Sequence, residues 1–398
     1  MKDKLIKTVK FLSILAICYL VFLGCGFLSV KYGITNTGGL VDLNNDRFQK
    51  NAEASERISK IEASNSQTND LGNIEIENKI ENLRLIKRIK DENFCKLNAI
   101  SKVSGLNAEQ ILSVYQKTEN DTLISKMILA VSLRLKDDSA YQNKIANCED
   151  ITRKGDSLEG VSKIDPSIGN NQNVFKWANE EEWASIKGGI LKDKDLIIQV
   201  GNAVGIEPRL IVSALIVEQL RLFHSQRELF KKFFEPLKIL GNATKISLGV
   251  MGVKEATAIE TENHLKDASS PYYLGPEYEH LLDLNSGNPT QERFSRLTDD
   301  KNHYYAYLYG AIYMKEMMMQ WERSGYSIAY RPEIVGTLFN VGFPQSKPNP
   351  APKVGGSKIT ISDGAYSFGS LSYEFYYSGE LIDEFPYITD KQATAFTQ

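Results

Sequence analysis

The sequence predicts a mainly α-helical protein, with an N-terminal membrane helix, a polar spacer, a helical module, a larger helical body and a short irregular/β C-terminal extension. Three observations predict it. Apolar residues recur at helical spacing through much of 76–150 and 174–344. Strand-like alternation is confined to a short stretch, Lys358 to Ser362, followed by an Asp363-Gly364 turn signal. An uncharged run occupies residues 11–30 behind Lys2, Lys4, Lys7 and Lys10.

That run comes first. Twenty uncharged residues match the length a helix needs to cross a bilayer core. The preceding lysines keep the short N-terminal stub in the cytoplasm and export the chain beyond the run. The expectation for residues 1–31 is therefore a stub and a single-pass cell-membrane anchor, with the body in the periplasm or extracytoplasmic space. Two alternatives stay open: a cleaved signal peptide, and a lipoprotein anchored at Cys25. For the second, Leu23-Gly24-Cys25 resembles a bacterial lipoprotein processing site, with Phe22 where a Leu is usual. Beyond this segment the chain holds only Cys95 and Cys148, a candidate disulfide in an oxidising compartment, with two separate buried thiols as the alternative.

Residues 32–75 are poor in aromatics and rich in Asn, Ser, Asp, Glu and Lys, which suits a polar spacer. A helical module is expected over 76–150. It has an amphipathic helix over about 74–93, a second with Asn107 as its cap, and a third over Thr122–Leu133. Residues 151–173 read as a linker. In the body, 174–344, helices are expected near 192–204, 207–222, 226–240, 253–267 and 302–324, with Pro208 in a first turn, where proline is tolerated. The extension, 345–398, is Pro- and aromatic-rich. It is too short for a core of its own, so it is expected to pack on the body. Its 366–387 stretch reads as a cover.

Composition narrows the function. With 398 residues and 42% hydrophobic content the chain can build more than one core. A net charge of −3 argues against a nucleic-acid binder. The four histidines show no metal-ligand spacing, and Asp283–Gly287, which faintly resembles a calcium loop, has Phe294 where a Glu is required. No metal and no cofactor are expected.

Glu218 stands out because the helix around it, Arg209 to Leu220, is apolar on nearly every face. Burying an ionised carboxylate costs several kcal/mol unless it is paired or protonated. Desolvation favours the protonated form, which a general acid needs. The competing reading is a satisfied ion pair with Arg209 or Arg221.

Three segments of the body resemble, in order, the motifs of the lysozyme-like lytic transglycosylases of the soluble (SLT) type. The first is Ser213-Ala-Leu-Ile-Val-Glu218-Gln219, with Gln219 where the family has Ser. The second is Ser247-Leu-Gly249-Val-Met251-Gly252-Val253, with Gly252 in place of Gln. The third is Leu338-Phe339-Asn340-Val341-Gly342, with Phe339 in place of Tyr, and it is expected to form a turn. The resemblance covers about 150 residues and implies a lysozyme-like α-helical catalytic domain. It also implies a peptidoglycan lytic transglycosylase, which cleaves the MurNAc–GlcNAc β-1,4 bond and leaves 1,6-anhydro-MurNAc. Glu218 would be the single acid/base. Gln219, Gly249, Met251, Gly252, Phe339 and Asn340 would line the substrate, with ordinary turn chemistry as the competing role for the glycines and a helix C-terminal or turn cap as that for Asn340.

Other residues carry blander expectations. The tyrosines Tyr304, Tyr305, Tyr307, Tyr309 and Tyr313 read mostly as core. Glu255, Glu260 and Glu262 read as a solvated helix face. The expected partners are peptidoglycan glycan strands and the cytoplasmic membrane through residues 11–30. An envelope protein is a candidate partner for 76–150. The alternatives to a transglycosylase are a hydrolytic muramidase, which needs a second carboxylate, and a catalytically inactive glycan-binding scaffold. Glu218 at the floor of an open groove, without a salt-bridging Arg, would favour an enzyme, and Glu218 tied to Arg209 or Arg221 under a closed surface would favour the scaffold.

Overall fold

The computed structural model of the chain describes residues 2–31, 91–146, 148, 172–223, 247–361 and 364–388. The spacer, most of the 74–93 helix, the linker up to 171 and the expected helix at 226–240 lie outside the described residues. The fold is mainly helical, as the apolar periodicity predicts.

Helix α1 (Lys2–Lys31) is continuous, and its described side chains from Lys10 to Phe22 are all exposed. Among the described residues, no helix is long and apolar enough to cross a membrane.

Helices α2 (Asp91–Val103), α3 (Gly105–Thr118), α4 (Asp121–Arg134) and α5 (Ser139–Ile145) pack together. Cys95 on α2 and Cys148 beyond α5 form a disulfide. The cap of α3 is Ser104 rather than Asn107: the Ser104 side chain accepts from Asn107 N. Asn107, three residues into the turn, instead reaches across the sequence gap, accepting from Val174 N at 2.9 Å. Its side-chain amide donates to Asn173 Oδ1 at 3.0 Å. These buried polar contacts seat 91–146 against the body.

The body follows with α6 (Glu181–Lys192), α7 (Lys194–Val204) and α8 (Pro208–Phe223). A hairpin, β1 (Ser247–Leu248) and β2 (Val253–Lys254), pairs antiparallel with Leu248 opposite Val253. Then come α9 (Glu255–Lys266), α10 (Pro289–Thr298), α11 (Tyr304–Arg323) and α12 (Pro332–Val341).

The C-terminal stretch is more than a cover. Strands β3 (Lys358–Ile361) and β4 (Gly364–Ser367) form a second hairpin, closing with Ile361 opposite Gly364. Helix α13 (Phe368–Ser378) starts from a capping box between Ser367 and Ser370, and every one of its residues is buried. It packs against α12, α8 and α4. One hydrophobic core therefore runs from Leu97 to Tyr387. The described residues of 91–146 and of 345–388 contribute to that core.

Candidate functional site

Helix α8 positions the candidate acid. Pro208 opens it, where the missing N–H has no helical partner to lose. Its apolar residues, Ile211, Val212, Leu215, Ile216, Val217 and Leu220, are buried. Glu218 lies among them, with its side chain 3% exposed.

The carboxylate is paired. Arg221, one turn further on, donates from Nε to Glu218 Oε2 at 3.0 Å and from Nη2 to Glu218 Oε1. This fork-on-carboxylate geometry is the strongest ion-pair arrangement open to an arginine. It offsets the desolvation of Glu218 locally, since Arg221 is itself only 12% exposed.

Arg209, the other candidate partner, is fully buried and turned toward the C-terminal segment. Its Nε donates to Tyr376 O at 2.9 Å, its Nη1 to Glu380 O at 2.9 Å and Phe385 O at 3.1 Å, and its Nη2 to Phe375 O at 3.2 Å. It thus fastens the start of α8 to the segment after β4.

The second motif lies against the end of α8. Gly249 and Gly252 both have φ of +63°, and Gly252 N donates to Gly249 O at 3.1 Å, closing the hairpin turn. A Cβ on Gly252 would fall 2.2 Å from Glu218 Oε1, and one on Gly249 would fall 1.8 Å from Leu297 O. Each glycine is needed twice, for its left-handed backbone and for its missing side chain. Gly252 therefore gives the Glu218 carboxyl its place.

Gln219 is turned to the hairpin rather than outward. Its Nε2 donates to Val250 O at 2.7 Å, tying the turn to the helix beside Glu218. Met251 is 0% exposed, so it offers no surface to a ligand. It packs on Gly310, where a Cβ would come within 2.8 Å of Met251 Cε. The small residue on α11 lets the hairpin sit down on that helix.

The third motif is engaged elsewhere. Leu338, Phe339 and Asn340 form the last turn of α12 rather than a free turn, and Gly342 (φ +95°) ends the helix. Phe339 is buried between Tyr313 and Phe368, with ring centroids 5.4 and 6.1 Å away. Asn340 Oδ1 accepts from Ser357 N at 2.7 Å and Ser357 Oγ at 2.9 Å, so it fastens the loop that leads into β3. The structure thus brings Glu218, Gln219, Gly249, Met251 and Gly252 together. Phe339 and Asn340 are committed to the packing of α12 against the C-terminal segment.

Of the tyrosines on α11, Tyr307, Tyr309 and Tyr313 are buried, and Tyr304 and Tyr305 are partly exposed. The acids of α9 depart from a solvated face. Arg293 on α10 grips Glu262 with two hydrogen bonds of 2.7 and 2.6 Å and approaches Glu255 at 3.7 Å. Glu260 alone of the three is exposed. The charge spacing on α9 could not reveal this, because the neutralising arginine comes from another helix.

Several buried acids escaped sequence reasoning, among them Asp193, Glu316 and Glu333. Glu316 lies in the middle of α11 and is fully buried. His264 Nδ1 sits 3.3 Å from its Oε2, and its Oε1 has no hydrogen-bond partner. Burial, and then the nearby Glu260, push its carboxyl well above the usual carboxylate range. Burial likewise pushes the His264 imidazole down, opposed by Asp267. Glu316 sits just beyond the tyrosine run, in a stretch whose methionines signal core, and that context was its available signal.

Among the described residues no group of His, Cys, Asp and Glu has a metal-holding arrangement. The chain matches no family model, no curated protein and no solved structure, so the geometry of Glu218 and its hairpin carries the functional reading.

Proposed function

We propose that the chain is a peptidoglycan lytic transglycosylase of the bacterial envelope, held at the membrane by residues 11–30, with Glu218 as its single acid/base. The observation that carries this is the contact between Glu218 and Gly252. A buried helix delivers one carboxyl group directly against the bare backbone of a glycine turn. Cleavage needs a proton on the leaving glycosidic oxygen and support for an oxocarbenium-like centre. Glu218 first gives that proton. It then takes the proton of the muramic 6-hydroxyl as O6 attacks C1 and closes the 1,6-anhydro ring. The internal nucleophile replaces an activated water, a proximity effect that removes the need for a second carboxylate. The acids Glu255 and Glu262, which follow the hairpin in the chain, are held by Arg293, which favours this route over a two-carboxylate hydrolase.

A second reading has its own observation. The Arg221 fork occupies both oxygens of Glu218, as expected for a glycan-binding scaffold that keeps the fold without the chemistry. Mass spectrometry of the fragments released from purified peptidoglycan by the detergent-solubilised chain, beside Glu218→Gln, separates the readings. Anhydro-muropeptides from the parent and none from the variant support the transglycosylase. Reducing-end products indicate a hydrolase. Binding without products indicates the scaffold.

A further inference from the structure

We infer that Arg221 is a specificity-determining residue that selects glycan strands whose muramic acid carries a free lactyl carboxylate, that is, strands stripped of their stem peptides. The inference rests on the transglycosylase reading and deepens it.

Glu218 is in conflict with its own partner. To protonate a glycosidic oxygen, the group must hold a proton on one of its two oxygens. Both oxygens accept hydrogen bonds from Arg221, and a guanidinium donates from every nitrogen and accepts at none. Each oxygen keeps a second lone pair, but the two that face the guanidinium become available to a proton or a substrate only when Arg221 leaves. Leaving has a cost. Both side chains are nearly enclosed, at 12% and 3% exposure, and removing one member of such a pair strands the other charge.

A carboxylate on the substrate resolves the conflict. The guanidinium fork fits any carboxylate in the same two-bond geometry. If the incoming sugar supplies one, Arg221 exchanges partners without losing its pairing. Glu218 is then freed to take up a proton from solvent. It delivers that proton to the glycosidic oxygen as the C1–O bond breaks, and recovers one from the 6-hydroxyl as the C1–O6 bond forms. The cycle ends with Glu218 protonated again and nothing consumed. On a muramic residue bearing a stem peptide the lactyl carboxyl is an amide, which offers a single neutral oxygen to Arg221 and a poorer exchange. The local fold supports an exchange at this point. Gly252 puts no side chain of its own against the Glu218 carboxyl, and Gln219 ties the hairpin turn to α8 while Arg221 moves.

The test uses the whole chain in detergent, on intact peptidoglycan and on the same material treated with an amidase that exposes the lactyl carboxylates. Anhydro-muramic ends are counted by mass spectrometry. Hydrogen bonds to a charged group contribute enough for a preference of about tenfold or more in kcat/KM for the stripped strands. Arg221→Met should bring that ratio close to one, and Arg221→Lys should keep part of it, as a point charge replacing a fork. Equal rates on the two substrates would overturn the inference and leave the transglycosylase reading standing. No anhydro product from either would overturn both. Should the Met variant fail to fold, inhibition of the parent chain decides the matter: free N-acetylmuramic acid should inhibit and its lactyl amide should not. Equal inhibition by the two would overturn the inference.

Discussion

Replacing Arg209 with Met should loosen the whole body, because this one side chain ties the helix that carries Glu218 to the C-terminal segment. The size of the effect follows from what each acceptor loses. Phe375 O also accepts from Ser378 Oγ at 2.8 Å, and Tyr376 O also accepts from Tyr387 Oη. Glu380 O and Phe385 O are the two carbonyls for which Arg209 is the side-chain donor. A buried acceptor left unmet costs about 1–3 kcal/mol. The guanidinium also stacks over Tyr387 at 4.4 Å and Phe375 at 5.0 Å, which adds about 1–2 kcal/mol in a desolvated site. Relief from burying a charge offsets part of the sum. A net loss of about 4 kcal/mol is expected, and at ~2 °C per kcal/mol for a chain of this size the melting temperature falls by about 8 °C. Thermal unfolding followed by circular dichroism, with limited proteolysis in parallel, measures it. The parent and the variant should each melt in one transition. A drop of under about 2 °C would refute the reasoning. So would proteolytic release of residues 364–388 with the remaining melt unchanged, because the segment and α8 would then not share a cooperative unit.

Three further outcomes are expected. Gly252→Ala places a Cβ 2.2 Å from Glu218 Oε1 on a backbone with φ of +63°, so Glu218 must move, and anhydro-muropeptide release should fall by about a hundredfold or more; unchanged release would show that Glu218 does not act from this position. Cys95→Ser, or reduction of the Cys95–Cys148 bond, opens a loop of 53 residues and should lower stability by about 4 kcal/mol in urea unfolding; no change would place the bridge outside the cooperative core. Because burial raises the Glu316 carboxyl, the folded protein holds that proton to higher pH than the unfolded chain does, and stability falls as the pH rises from about 4.5 toward the folded value. Glu316→Gln removes that fall, so the variant should gain on the parent between about pH 5 and pH 8, and a constant difference across that range would sink the assignment.

Much of the architecture was legible in the sequence where it depends on local rules. The apolar period around Glu218 located a helix at 207–222, and α8 spans Pro208–Phe223. The alternation of Lys358–Ser362 before Asp363-Gly364 located the second hairpin. Where prediction departed from structure, a neighbour decided. Apolar periodicity misses helix α10 because it buries only Arg293 and Leu297, and it is defined by the Asn288 cap and by Arg293 gripping Glu262. Helix α13 reads as irregular because its Gly, Ser and aromatic residues favour other states. It exists because its capping box starts it and α12, α8 and α4 surround it. Asn107 resembles a cap, but Ser104 takes that role and Asn107 is spent on Val174. Asn340 resembles a ligand-binding turn residue but is held by Ser357.

The site divides along the same line. That Glu218 would be buried, and that a cation three residues away could neutralise it, followed from the sequence, because partners at i and i+3 share a helix face whatever surrounds them. That Gly252 rather than another residue touches its carboxyl could not be read there. Nor could the destination of Arg209, whose acceptors lie 166 to 176 residues further along the chain. Helical spacing is a property of the backbone and is written in a dozen consecutive residues. Which charge meets which carbonyl depends on how those helices pack, and that was decided only by the tertiary structure.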